Sequence, residues 1–178
     1  MKTSFWPKWL LIGSAVVLLG CLAGRAPAET PRKIFRVGIY DSRAIAVAYA
    51  NSREYQNAMK AVELDYAQAK NANNQVRMTE IQQRMQAAQR RLNDQTFSTA
   101  SVSVVMPVLK SSLPHLAREA NVDIIVSKYE LNYQSLNVET EDVTDKLVAL
   151  FHTTDQGWKW AKEIQQKPPL PIDKVPEQ

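Results

Sequence analysis

The stretch that decides the fold reads MTEIQQRMQAAQRRLNDQTFSTASVSVVMPVLKSSLPHLAREA over residues 78–120. Most of its apolar residues recur at alternating spacings of three and four, as the a and d positions of a heptad repeat do. We call the thirteen positions that follow this spacing the return seam: Met78, Ile81, Met85, Ala88, Leu92, Gln95, Thr99, Val102, Met106, Leu109, Leu113, Leu116 and Ala120. A single helix cannot bury a stripe this narrow, so the pattern predicts partner helices and a protein that works by presenting surface.

A softer stripe with the same spacing precedes the return seam, and we call it the outbound seam. Its members are Ile45, Ala48, Ser52, Tyr55, Met59, Val62, Tyr66 and Ala69. The phase between the two seams breaks at the Asn-rich residues 71–75, and Asn favours turns over helix interiors. The simplest arrangement is two antiparallel helices with their tip near 71–76.

The two predicted arms differ in length, because the return seam is the longer one. Residues 96–105 are rich in Ser, Thr and Val, which are poor helix formers, and Pro107 lacks a backbone donor. We therefore expect a kink there, with residues 107–121 belonging to the body of the protein rather than to the hairpin.

Short β-branched segments flank the hairpin. Residues 34–40 predict a strand, followed by a helix that Asp41 or Ser42 caps. Residues 122–126 predict a second strand, and the alternation over 129–136 predicts a third strand that pairs with it in a β-hairpin. Residues 140–151 predict a short helix with an apolar face.

The sequence thus predicts an α+β, mainly helical fold with three parts. A long antiparallel coiled-coil hairpin, about residues 44–106, is inserted into a small β-stranded body, residues 34–43 and 107–151. Residues 152–178 form a tail that turns Pro-rich after Lys167. Trp158 and Trp160 precede the prolines, either buried against the body or forming a partner-binding patch.

The first 28 residues have the features of an export signal. Lys2 and Lys8 precede an apolar run over residues 9–23, which is too short to span a membrane comfortably. Cleavage after Ala28 would follow an A-x-A site. The alternative is a bacterial lipobox, in which cleavage after residue 20 leaves Cys21 to carry a lipid. Cys21 is the only cysteine, so no disulfide is predicted.

Composition argues against several classes of function. Removing residues 1–28 leaves 19 basic and 18 acidic residues, so the whole-chain charge predicts no nucleic-acid partner. His115 and His152 are the only histidines, which argues against a metal site or a Cys/His nucleophile pair. Gly38 and Gly157 are the only remaining glycines, too few for a phosphate-binding loop. We therefore predict no cofactor and no enzymatic activity.

The order of export signal, strand, helical hairpin, strands and short helix resembles the OmpH/Skp family of periplasmic chaperones. The resemblance covers about residues 34–151, and three stretches carry it. The first is Val37-Gly38-Ile39-Tyr40-Asp41-Ser42. The second is Met106-Pro107-Val108-Leu109, followed by Leu116-Ala117-Arg118-Glu119-Ala120-Asn121 and the predicted strand after it, and the third is Asp142-Val143-Thr144-Asp145-Lys146-Leu147. The resemblance implies a homotrimer in which the strands form the body and three hairpins project as tentacles. It also implies a periplasmic, ATP-independent holdase that binds unfolded outer-membrane proteins in the cavity between the tentacles.

The candidate client-binding residues lie on or beside the two seams. Four are the adaptable or aromatic seam residues Met59, Tyr66, Met78 and Met85, although filling a coiled-coil core is the simpler interpretation for the methionines. Three more, Arg77, Arg84 and Arg91, recur every seven residues beside the return seam. These arginines either form solvated or paired flanks or attract acidic clients or a membrane surface. The alternative function is a lipid-anchored coiled-coil scaffold or adaptor of the cell envelope.

Overall fold

The computed structural model describes residues 34–176 of the chain. Both predicted cleavage sites and Cys21 lie outside these residues. The elements, in chain order, are β1 (Phe35–Tyr40), α1 (Ser42–Ala50), α2 (Arg53–Asn71), α3 (Gln75–Phe97), α4 (Leu113–Glu119), β2 (Ile124–Ser127), β3 (Val138–Asp142), α5 (Thr144–Leu150) and α6 (Asp155–Gln165). Short 3₁₀ turns occur at Met106–Leu109 and Ile172–Lys174.

The three strands form a parallel sheet in the order β2-β1-β3. Val37 of β1 is aligned with Ile124, and Phe35 is aligned with Val138. The predicted β-hairpin between residues 122–126 and 129–136 is therefore wrong. Because β2 and β3 are parallel and lie on opposite sides of β1, residues 128–137 must cross the sheet between them and form no strand. Residues 140–142, predicted as the start of a helix, belong to β3.

The predicted long coiled-coil hairpin inserted into a small β-stranded body is also wrong, because the chain has a mixed α/β fold with shorter helices. The outbound arm is split into α1 and α2. The hydroxyl of Ser52 accepts a hydrogen bond from the Tyr55 amide at 3.2 Å and caps a new helix. The return arm ends at Phe97, where the Ser98 hydroxyl donates to the Asp94 carbonyl at 2.6 Å.

A shorter pair of helices remains at the centre of the predicted hairpin. Helices α2 and α3 are connected by the turn Ala72–Asn74, within the Asn-rich segment that predicts a turn. Asn73 adopts a positive φ of 54°, which Asn tolerates better than most residues. The Asn74 side chain then accepts a hydrogen bond from the Arg77 amide at 3.0 Å and caps α3.

The core lies around α1, in which the seven residues from Ser42 to Ala48 are buried. Helices α3, α5 and α6 pack against α1, and Leu147 and Phe151 are fully buried beside it. Several seam residues belong to this core instead of to a coiled coil: Ile45, Ala48, Val102, Leu109, Leu116 and Ala120. For these six positions the seams correctly predicted an inward-facing side chain but not the element that buries it, whereas the seam residues Met85, Ala88 and Thr99 are exposed.

Close packing between the sheet and this core explains the glycine in β1. A Cβ placed on Gly38 would lie 3.2 Å from side-chain atoms of both Val122 and Val143. This is tighter than ordinary van der Waals contact, so a side chain here would require both valines to move by a few tenths of an ångström. The strand and the Asp41 cap of α1 are where the sequence predicts them.

Candidate binding groove

An open groove of about 830 Å³ lies between α2 and α3, and we call it the hairpin groove. Its apolar lining comes from both helices: Tyr55, Met59, Ala61 and Val62 from α2, and Ile81, Met85, Ala87 and Ala88 from α3. A volume of this size falls within the range of ligand pockets in proteins. The facing seams of the hairpin thus enclose space instead of closing into a packed core.

The hairpin contributes little to the interior of the protein. Only Ala69 of the 19 residues of α2 is buried, and α3 buries only Ile81, Asn93 and Gln95. Met85, a return-seam residue near the middle of α3, keeps 38% of its surface exposed. Helices in proteins usually gain most of their stability by burying an apolar face. The seam of this hairpin therefore remains available to a partner.

The charged residues that line the hairpin groove are Asp65, Arg77, Arg84 and Arg91. Arg77 forms ion pairs with Asp65 at 2.6 Å and with Glu80 at 3.1 Å. Arg84 and Arg91 form no ion pair with any of residues 34–176. Two uncompensated positive charges therefore lie beside the apolar lining.

The groove contains most of the predicted client-binding residues. Met59, Arg77, Arg84, Met85 and Arg91 line it. Tyr66 and Met78 do not; both lie closer to the turn and are half-buried, and the Tyr66 hydroxyl accepts a hydrogen bond from Gln82 at 3.3 Å. Tyr55, Val62 and Ile81 also line the groove. They were recognised as seam residues but not as binding residues, so the seam itself was the signal.

A buried ion network lies at the carboxyl end of β1, and it comprises Asp41, Arg43, Lys128 and Tyr129. Asp41 and Arg43 are each 1% exposed. The Arg43 guanidinium donates to both carboxylate oxygens, from Nε to Oδ1 at 3.1 Å and from Nη2 to Oδ2 at 2.7 Å. Lys128 Nζ lies 2.9 Å from Oδ2, and the Tyr129 hydroxyl donates to the same oxygen at 3.2 Å.

Electrostatics hold this network in its charged form. Burial by itself raises the pKa of the Asp41 carboxyl, but the hydrogen bonds and positive charges of Arg43 and Lys128 outweigh it, so the net pKa is lowered. Burial also raises the pKa of the Tyr129 hydroxyl, and the negative charge of Asp41 raises it further. Asp41 therefore remains a carboxylate at neutral pH.

The network also connects distant parts of the chain. The backbone amide of Asp41 donates to the Thr144 hydroxyl at the start of α5, at 3.0 Å. Arg43 Nη1 donates to the Lys167 carbonyl after α6, at 2.8 Å. Because both oxygens of the carboxylate already have donors, the arrangement suits a structural role. The sequence predicted Asp41 only as a helix cap and offered no signal that Arg43 would be buried.

A second, smaller groove of about 330 Å³ lies between α1, α3 and α6. Its lining includes Phe97 and Trp160, which are 36% and 47% exposed. Trp158 packs against the core instead. The Pro-rich segment passes close by, since the Leu170 amide donates to the Phe97 carbonyl at 2.8 Å.

Within residues 34–176, no helix combines the length and apolar character that a membrane span requires. The same residues contain no group of three His, Asp or Glu side chains placed to hold a metal ion. Comparison of the chain with family models, with curated proteins and with solved structures found no match in any of the three.

Proposed function

We propose that the chain is an ATP-independent holdase that binds apolar segments of unfolded outer-membrane or other envelope proteins in the hairpin groove. The resemblance to the OmpH/Skp family supports this proposal, and so does the predicted export signal, which favours the periplasm as the site of action. The binding surface is the hairpin groove of one chain, in place of the cavity between long tentacles that the sequence predicted.

The observation that carries the proposal is the combination of adaptable and exposed apolar residues in the groove. Met59 of α2 and Met85 of α3 line the same open space, and Tyr55 belongs to the same lining. Methionine side chains are flexible and polarisable, so they adapt to apolar partners of different shape. A holdase needs such a surface, because its clients share no single sequence.

Suppression of aggregation tests the proposal directly. An outer-membrane protein is diluted from urea into buffer without nucleotide, and light scattering is followed with and without the mature protein. We expect suppression by the wild type and a marked loss of suppression by Met85→Glu, which places a carboxylate in the apolar lining. Val76→Glu is the matched control, because Val76 is an exposed apolar residue of the same helix outside the groove. The proposal fails if the wild type does not suppress aggregation at a several-fold excess.

We also propose that the chain assembles as a homotrimer, as the family resemblance implies. Exposed apolar residues on and around the sheet support assembly, because exposed apolar surface often marks an interface. Ile124 on β2 is 53% exposed, and Leu136 in the crossing segment is fully exposed. Light scattering coupled to gel filtration should give three times the monomer mass for the wild type and a smaller mass for Ile124→Lys. A monomeric wild type would contradict the assembly and leave the holdase proposal standing.

The second candidate function is a lipid-anchored envelope adaptor, and the exposed Trp160 favours it. Trp160 and Phe97 present two aromatic rings in the smaller groove, and aromatic residues are enriched in protein interfaces. Fractionation of cells that express wild type or Cys21→Ala distinguishes the two functions in part, because it tests the lipid anchor. Release from the membrane only in the variant would favour the adaptor, whereas soluble wild-type protein would remove the anchored version.

A further inference from the structure

We infer that the hairpin groove takes an amphipathic helix with acidic residues beside its apolar face, and that an extended chain is the poorer ligand. This inference deepens the proposed function, since it concerns the same groove and names the class of client segment. Three features of the groove support it: the spacing of its apolar residues, the chemistry of its walls and the position of its free arginines.

The apolar residues of both walls have the spacing of a helix–helix interface. Tyr55, Met59 and Val62 on α2 are separated by four and three residues, and Ile81, Met85 and Ala88 on α3 have the same spacing. Each set therefore forms one straight stripe along its helix. Two such parallel stripes with a gap between them form a receptor for a third helix, as in other helix-in-groove complexes.

The walls of the groove also discriminate against an extended segment. All residues that line it belong to α2 or α3, whose backbone groups are already paired within the helices, so no strand edge is present. An extended segment in the groove would lose water from its N–H and C=O groups without gaining backbone partners, which is costly. A helix satisfies its own backbone groups and presents only side chains to the apolar walls.

The free arginines specify the charge of the ligand. Arg84 and Arg91 are seven residues apart on α3, which corresponds to about 10 Å along the helix. Both line the groove, whereas the adjacent Arg90 does not. A helical ligand with acidic residues at the same seven-residue spacing could pair with both arginines at once. Arg77 is less available, because Asp65 and Glu80 already neutralise it.

The first experiment compares helical and extended ligands of the same composition. The probe is a fluorescent peptide of three heptads with Leu at the a and d positions and Glu at one flanking position of each heptad. The remaining positions of the probe are Ala, and the matched peptide has one central Ala replaced by Pro, which breaks the helix and leaves the charge unchanged. We expect the Pro peptide to bind at least about tenfold more weakly in fluorescence anisotropy, and circular dichroism to show helix gained on binding of the first peptide. Equal affinity for the two peptides would overturn the inference.

The second experiment tests the arginines by charge reversal. The double variant Arg84→Glu, Arg91→Glu should bind the Glu peptide about tenfold more weakly and recover affinity for a peptide with Lys in place of Glu. Arg90→Glu is the control, since it changes the same charge on the same helix outside the groove, and its affinity should stay within about twofold of wild type. A double variant that behaves like Arg90→Glu would overturn the assignment of these residues.

The two experiments and the aggregation assay fail independently. Suppression of aggregation with equal affinity for the helical and Pro peptides would overturn the helix inference and leave the holdase function intact. Tight helical-peptide binding without suppression of aggregation would support the inference and overturn the holdase proposal. A third result would also overturn the inference: the wild type suppresses aggregation, Met85→Glu abolishes that suppression, and neither peptide binds. The groove would then bind a different class of segment.

Discussion

Replacement of Asp41 by Asn should destabilise the protein by about 3–5 kcal/mol, the usual cost of removing one partner of a buried ion pair. Asn is as good a helix cap as Asp, so the bond from the Arg43 amide to the capping oxygen is kept. What changes is Oδ2, which becomes an amide NH₂ group. That group would face the Arg43 guanidinium and the Lys128 ammonium, which approach Oδ2 at 2.7 and 2.9 Å. In the variant, the N–H donors of the introduced amide would therefore face the N–H donors of Arg43 and Lys128, and the buried Arg43 charge would lose its carboxylate partner.

Urea unfolding, followed by the fluorescence of Trp158 and Trp160, measures this loss. For a domain of this size, the same loss corresponds to a melting temperature lower by about 6–20 °C. Asp145→Asn is the control, because it breaks a salt bridge with Lys162 in which both side chains are about half exposed. Such surface pairs are worth about 1 kcal/mol or less. If Asp41→Asn were as mild as this control, the reasoning about the buried ion network would be refuted.

The same substitution should change how stability depends on pH. The pKa of Asp41 is lowered in the folded protein, so the unfolded chain binds the proton more readily. The stabilisation by the carboxylate is complete above the unfolded pKa of about 4 and is lost as pH falls through the lower folded pKa. Unfolding midpoints measured between about pH 6 and about pH 2 should therefore fall less steeply for Asp41→Asn than for the wild type. Equal slopes would show that another carboxylate controls the acid transition.

Three further substitutions test the packing that positions the groove. Gly157→Ala should destabilise the protein by about 1–3 kcal/mol, because a Cβ there would lie 2.5 Å from the Cβ of Asn51 and force α6 away from α1. An unchanged urea midpoint would show that the two helices can move apart without loss of stability. Ser52→Ala removes the side-chain cap of α2 and should destabilise the protein by about 1 kcal/mol, and Ser52→Gly should be milder. Hydrogen exchange at the Tyr55 amide should become faster in Ser52→Ala, and an exchange rate equal to that of the wild type would count against the cap. Phe151→Ala, at a fully buried position, should cost about 3–5 kcal/mol in the same urea measurement, and a loss below about 1 kcal/mol would be inconsistent with a close-packed core around this ring.

Local signals in the sequence were sufficient for some elements. The β-branched residues before Asp41 predicted β1, and the Asn-rich segment predicted the turn between α2 and α3. Both depend on conformational preferences of a few adjacent residues. The pairing of the strands could not be obtained this way, because parallel neighbours of β1 lie 87 and 103 residues away in the chain and leave no local trace.

The seams show why the helical pattern predicted the wrong architecture. Spacings of three and four report which side of each helix faces inward, and this was correct for residues such as Ile45, Ile81 and Leu116. The same spacings continue across a break when consecutive helices pack on one core, so they cannot distinguish one long helix from several short ones. The hydroxyls of Ser52 and Ser98 lie at the breaks. The Ser52 hydroxyl accepts from the Tyr55 amide, and the Ser98 hydroxyl donates to the Asp94 carbonyl and accepts from the Ala100 amide.

The candidate site was predictable in part for the same reason. Met59, Met85 and the spaced arginines could be recognised from their position on or beside a seam, although the gap between α2 and α3 depends on how the hairpin packs. The buried ion network left no comparable signal. A charged residue after a helix cap normally faces solvent. Burial of Arg43 is tolerable because its guanidinium donates to the Asp41 carboxylate and to the distant Lys167 carbonyl.

The position of β1 in the chain has a consequence for the order of folding. This strand is synthesised before the other two strands of the sheet and lies between them, yet neither neighbour is synthesised until about two thirds of the chain is complete. At that stage α1 lacks α5 and α6, two of the helices that pack against it. A fragment ending at Phe97 should therefore stay largely unstructured, and folding should be slow because its decisive contacts join distant residues. The sheet can therefore be completed only after β3 has been synthesised.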